Sequence, residues 1–253
     1  MRNFKTLFVA VTGIFLITTL SIFAEEKPDL VTRHFTFHVS GGVDSATVRN
    51  LANTLESNYA RITDDLQTTP YDPIKVNIYS AQWRYIIATG NWFASGHIEG
   101  PAILHFVEQS DSQNGSWKIA LHEFTHAVVL KLLIDEAPLP FDRTVFDQKY
   151  QTFPVWLWEA VSVYEAKQFR EPKSLPYLNS GSYPSLEELS DRSNGGKIYG
   201  CGYTIIEYIL EKYGKEKLIS LIANYGNVQK VLMVSEAEFS KGWYEFVGNK
   251  YLK

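Results

Sequence analysis

Ile119-Ala120-Leu121-His122-Glu123-Phe124-Thr125-His126-Ala127-Val128-Val129 is the stretch on which the reading of this chain turns, because it carries the pattern His-Glu-x-x-His. On a helix, residues advance by about 100° each. His126 therefore lies roughly 40° round the axis from His122, one turn further along, and the two imidazoles can reach the same ion. Glu123 stands about 100° away on the same helix, too far round to be the best ligand but close enough to act beside one. With six histidines in 253 residues, chance produces this pattern in roughly one chain in a hundred of such composition. Its surroundings sharpen the reading. Leu121, Phe124, Val128 and Leu132 cover one side of the helix, while Ile119, Val129, Leu130 and Leu133 surround the histidines. A helix apolar nearly all round is buried, and two imidazoles with a carboxylate inside it call for a metal ion or equivalent partners.

Two histidines leave the site incomplete, since catalytic zinc usually takes three protein ligands and keeps a fourth position for water. Val129 and Leu132 stand where a metzincin has Gly and His, which excludes that class. The favoured third ligand is Glu159 in Pro154-Val155-Trp156-Leu157-Trp158-Glu159-Ala160-Val161-Ser162-Val163-Tyr164. It is the one carboxylate set in a second apolar helix shortly after the motif, and a buried lone glutamate again asks for a cation.

Working outward, His34 to Val39 and Ile74 to Tyr79 alternate apolar and polar residues as half-buried strands do, and Ile103 to Val107 reads as a third strand. Val48, Leu51, Leu55, Tyr59 and Ile62 fall on one face of a helix from about Asp44 to Leu66, and a short helix is expected over Gln82 to Ala88. Beyond the turn-rich Ser110 to Gly115 the periodicity becomes helical. Ser116 is positioned to cap a helix reaching about Ile134. Helices are expected near residues 154–167, 185–191, 199–213, 215–224 and 236–247, with the proline-punctuated 138–153 and 172–184 as loops. The fold class is α+β, with a small N-terminal mixed α/β lobe over about 30–134 that carries the motif helix. A mainly helical C-terminal lobe follows over about 154–253, the two lobes forming a single domain spanning 25–253.

His122-Glu123-x-x-His126 followed by Trp-Leu-x-Glu-Ala-x-Ser-x-Tyr at Trp156 to Tyr164 resembles the gluzincin zinc metallopeptidases, the superfamily of thermolysin and aminopeptidase N. The resemblance extends loosely over most of the chain after residue 30, and only the two motifs are specific. It implies a zincin-like fold, one Zn²⁺ per chain held by His122, His126 and Glu159, and a peptide or protein substrate. Glu123 would be the general base acting on a zinc-activated water. Tyr199-Gly200-Cys201-Gly202 is similar to an aminopeptidase pattern whose tyrosine stabilises the oxyanion, which makes Tyr199 a second catalytic residue and Tyr203 its alternative. In the same family a substrate lies extended along an edge strand, a role open to Gly96 to Val107, which reads equally well as internal sheet. The chain also departs from the family. The 33-residue step from His126 to Glu159 is long, Trp158 replaces a common Asn, and Val163 lacks the aspartate that thermolysin-like enzymes use to orient a histidine. These departures motivate the alternative of a catalytically silent zinc- or peptide-binding module.

Composition agrees with a folded protein, at 45% hydrophobic, 14% aromatic and 21% charged residues. A net charge of -4 provides no general attraction to nucleic acid, and the single Cys201 excludes an internal disulfide and every cysteine-rich metal site. Arg2 and Lys5 precede an uncharged apolar run from Leu7 to Phe23 that ends at Ala24, which reads as a secretory signal peptide over residues 1–24. The expected location is secreted or extracytoplasmic, with a membrane anchor if residues 7–23 are retained. His34 and His38 share a strand face and read as solvent-facing polar residues. Trp83, Tyr85, Trp92 and Phe93 read as packing rather than as a ligand grip.

Overall fold

Alternation of Phe35 and Phe37 with Thr36 and His38 gives the sheet one apolar face, and the rest of the domain is laid on it. The computed structural model describes residues 27–92, 94–108, 118–191 and 196–253. Strands β1 (Leu30–Val31), β2 (Phe35–Ser40), β3 (Ile74–Tyr79), β4 (Gly96–Ile98) and β5 (Ile103–Val107) form one mixed sheet in the order β1-β2-β3-β5-β4. The three central strands are parallel and the two edge strands antiparallel to their neighbours. Phe35, Phe37, Val76, Ile78, Leu104 and Phe106 are buried together on one face. Helices α1 (Ser45–Leu66) and α3 (Lys118–Asp135) pack there, with the Phe124 ring 5.5 Å from Phe35 and 5.6 Å from Tyr59. The opposite face carries Tyr79 and Val107, covered by Tyr85 from α2 (Gln82–Thr89), the helix between β3 and β4.

The remaining helices are α4 (Arg143–Tyr150), α5 (Val155–Glu165), α6 (Pro176–Asn179), α7 (Leu186–Ser190), α8 (Ile198–Tyr213), α9 (Lys215–Ala223), α10 (Val228–Leu232) and α11 (Glu236–Val247). Asp44 caps α1 by accepting from the Ala46 and Thr47 amides, and Ser185 and Ser235 cap α7 and α11 through reciprocal bonds with Glu188 and Glu238. One hydrophobic cluster runs from Phe35 on β2 to Val247 on α11. Within it α5 lies against both α3 and α8.

Two expected loops contain helix. Residues 138–153 hold α4, which Asp142 starts by accepting from the Val145 amide at 3.1 Å and which buries Phe146. Pro138 and Pro140 precede this helix rather than interrupt it. Its apolar face is a single aromatic per turn, Phe146 then Tyr150, too sparse for periodicity to show. Residues 172–184 likewise contain a 3-10 turn at Pro172–Ser174 and then α6. The signal peptide expected over residues 1–24, the Ser116 cap, the Ser110 to Gly115 turn and Phe93 lie outside the described residues. Among the described residues no helix is long and apolar enough to cross a membrane.

The approach of α8 to α5 is glycine-dependent. A β-carbon on Gly202 of α8 would sit 3.0 Å from the Ala160 Cα and 3.3 Å from its Cβ on α5. Backbone cannot yield as a side-chain tip can, so Gly202→Ala should cost about 1–3 kcal/mol by overpacking. Gly42→Ala, whose methyl meets nothing within 4 Å, should be near neutral. Urea denaturation of both variants checks this, and equal stability would show that α5 and α8 separate freely.

Candidate metal centre

Helix α3 presents His122 and His126 one turn apart, and α5 brings Glu159 across from the facing helix. All three are buried, at 7%, 5% and 4% exposure respectively. Glu159 Oε2 lies 3.1 Å from His122 Nε2 and 3.6 Å from His126 Nε2, and the two imidazoles stand at 90° with centroids 4.6 Å apart. One donor atom from each residue falls within 4.8 Å of the others, and this group can hold a metal ion. Among the described residues it is the one cluster of three or more His, Cys, Asp or Glu that can do so. His34 and His38 are outside it. His34 instead stacks on Tyr59 at 3.7 Å, with Nδ1 2.7 Å from Glu56 Oε2.

The far nitrogen of each imidazole is also held. His122 Nδ1 lies 2.9 Å from Gln168 Oε1, which only accepts, so Nδ1 carries the hydrogen and Nε2 faces Glu159. His126 Nδ1 lies 2.8 Å from Ser162 Oγ. Ser162 follows Glu159 by three residues and shares its helix face. Gln168 comes from beyond the end of α5, where Lys167 takes a left-handed φ of 53° and the Gln168 amide bonds back to the Val163 carbonyl. These two residues do the orienting for which Val163 lacks the side chain. Trp158 stacks on His126 with centroids 4.3 Å apart and planes 7° from parallel. Sequence reasoning missed the roles of Ser162, Gln168 and Trp158. The first had a signal in its helical spacing, whereas Gln168 had none.

Charge within the group is self-consistent. Burial works to raise the Glu159 carboxyl, but hydrogen bonding to His122 and the neighbouring His126 outweighs it and holds the group well below the usual carboxylate range. Burial works to lower His122, and its bond to Glu159 reverses this and raises it. Glu123 behaves oppositely to Glu159. Burial pushes it up to about 7 against the pull of His122. It stands outside the ligand group, beside the sheet edge, where a β-carbon on Gly96 of β4 would come 3.0 Å from its Cγ.

Comparison with protein-family models and with curated proteins finds no match. What the site can do is therefore argued from its own geometry. Tyr199, in the first turn of α8, is 42% exposed with its ring 6.3 Å from that of His122. Tyr203 packs instead on Tyr164 and Phe169, at 4.8 and 5.2 Å. Of the two tyrosines, Tyr199 is thus the one the fold brings beside the histidines. Cys201 is buried, its thiol pushed up to about 12 by burial. Packing accounts for only part of the expected aromatic cluster. Tyr85 is fully buried, while Trp83 is exposed because residues two apart on α2 face different sides, and Trp92, beyond the end of α2, is exposed as well.

Glu159 raises the proton affinity of His122, so a proton and a metal ion compete for its Nε2. Metal affinity should consequently fall as pH drops below neutrality, about tenfold per pH unit for each proton released. Competition with a chromophoric chelator between pH 5.5 and 7.5 measures this, and a flat profile contradicts it. In the same assay Gln168→Ala should weaken binding about 10- to 100-fold by freeing the His122 ring.

Proposed function

We propose that this chain is a secreted or extracytoplasmic zinc metallopeptidase of gluzincin type with a zincin-like fold. The observation that carries the reading is the division of labour between two carboxyls, one buried and one partly exposed: Glu159 is drawn into the imidazole pair, while Glu123 stands outside it with its pKa close to neutrality. Two imidazoles and one carboxylate are a donor set that suits zinc and leaves a position open. Zinc, when bound, polarises the scissile carbonyl and lowers the pKa of a water toward neutrality. Glu123 takes the proton of the attacking water on a carboxyl oxygen and passes it to the leaving amine, and a base with a pKa near the working pH is suited to both transfers. Tyr199 supplies a phenolic donor for the oxyanion from the open side of His122.

Strand β4 gives a polypeptide somewhere to lie. The Val107 amide bonds to the Ser95 carbonyl and the Glu99 amide to the Ile103 carbonyl. By antiparallel alternation Gly96 and Ile98 then turn their N–H and C=O outward. A strand paired there passes Glu123, because Gly96 has no side chain to keep it away. The expected internal role holds for β5 and the edge role falls to β4. A silent binding module, the alternative reading, has no use for a carboxyl kept near neutrality beside the ligands.

Glu123→Gln should retain zinc and lose peptide turnover by about 10³-fold or more, whereas Glu159→Ala should lose the metal. Equal zinc loss in both variants would mean the two roles are misassigned. Tyr199→Phe should lower turnover about 100-fold with zinc content unchanged, and unchanged turnover would remove Tyr199 from the reaction.

A further inference from the structure

The step from His126 to Glu159 is long because α4 is folded into it, and α4 encloses a cleft of about 560 Å³ against α3 and the β4–β5 hairpin. Its walls are Ile98, Leu130, Ile134, Phe141, Phe146 and Tyr150. The rim charges select little, since Arg143 and Asp147 pair with each other and Glu99 lies 3.3 Å from His105. What the cleft offers is apolar surface.

Its position ties it to the proposed chemistry. Leu130 and Ile134 follow Glu123 by seven and eleven residues, spacings that return to one face of a helix. The cleft therefore opens on the Glu123 side of α3. Strand β4 runs in the same direction, with Gly96 against Glu123 and Ile98 already in the cleft wall. On the opposite wall Tyr150 meets Trp158 edge-on at 5.6 Å, and Trp158 stacks on His126. Cleft and metal group are thus joined along both the helix and the aromatic chain.

We infer that this cleft is a specificity subsite that accepts one bulky apolar side chain, aromatic or leucine-sized, from a polypeptide strand paired on β4. The inference rests on the peptidase reading and adds the substrate class to it. Gly96 to Glu99 spans about 10 Å at roughly 3.3 Å per residue, so the recognised side chain stands about three residues from the bond cut. A strand antiparallel to β4 puts it on the amino side of that bond. The volume lies within the roughly 300–1,000 Å³ of ordinary ligand pockets, far more than an alanine fills. Phe141, at the rim, is 44% exposed and extends the apolar wall through Phe146, whose ring centroid lies 5.5 Å from its own.

The test is digestion of a randomised peptide library by the zinc-loaded full chain, with cut sites read by mass spectrometry, followed by matched peptides carrying Phe or Ala at the selected position. The kcat/KM ratio of the Phe to the Ala peptide should be about 10- to 100-fold. Ile134→Trp, which fills the cleft, should bring that ratio to within about threefold. Phe141→Ala, at the exposed rim, should lower the ratio several-fold without disturbing the core. Because each readout is a ratio within one protein, loss of folded material does not mimic the effect. Cleavage without an apolar preference, or a preference unmoved by both variants, overturns the subsite and leaves the peptidase reading standing. No cleavage of any peptide by protein that holds zinc overturns the peptidase reading and the subsite with it.

Discussion

A single carboxylate, Glu159, buried between two imidazoles, is the constraint on which the rest of the structure depends. Ionised and shut away from water, it would cost several kcal/mol if unpaired. Its hydrogen bond to His122 compensates it, raising that imidazole while holding the carboxyl low, and a cation in the group competes for the same place. The same contact clamps α3 of the sheet layer to α5 of the helical half. The C-terminal end of α5 is tied down by Glu165, whose carboxylate and carbonyl both accept from Arg61 of α1. Charge therefore fixes α5 at its middle and at its last residue, and packing holds the rest.

From that clamp the outer parts of the site take their positions. Gly202 lets α8 press against Ala160, next in sequence to Glu159, which sets Tyr199 beside His122. Gly96 lets the edge of the sheet press against Glu123 in the same manner. Two missing β-carbons thus determine how near the phenol and the strand edge stand to the histidine pair and Glu123. Ser162, Gln168 and Trp158 fix the ring planes, so that no imidazole is free to turn its wrong nitrogen inward.

Much of this was legible in the sequence where a periodic signal was strong. β3 and β5 begin and end where the alternation does, and α1 buries the residues its spacing marks. The convergence of His122, His126 and Glu159 follows from a four-residue helical step and a lone glutamate in an apolar helix. What could not be read depended on tertiary contact. α4 carries one aromatic per turn and gains its reason for being helical only from the cleft it walls. Gln168 reaches His122 through a left-handed turn at Lys167, a residue type that gives no warning of one. The Tyr-x-x-Gly pattern favours Tyr199 over Tyr203, but only the packed structure shows Tyr199 next to His122 and Tyr203 turned to Tyr164 and Phe169.

The central claim is that these three side chains form a metal centre, and metal content tests it most directly. Untagged protein, incubated with a modest excess of zinc and passed over a desalting column, should carry about one zinc per chain by elemental analysis. Protein that emerges folded and free of zinc would contradict the account. Glu159 would then be satisfied by the His122 proton alone, and the buried triad would be a structural ion pair.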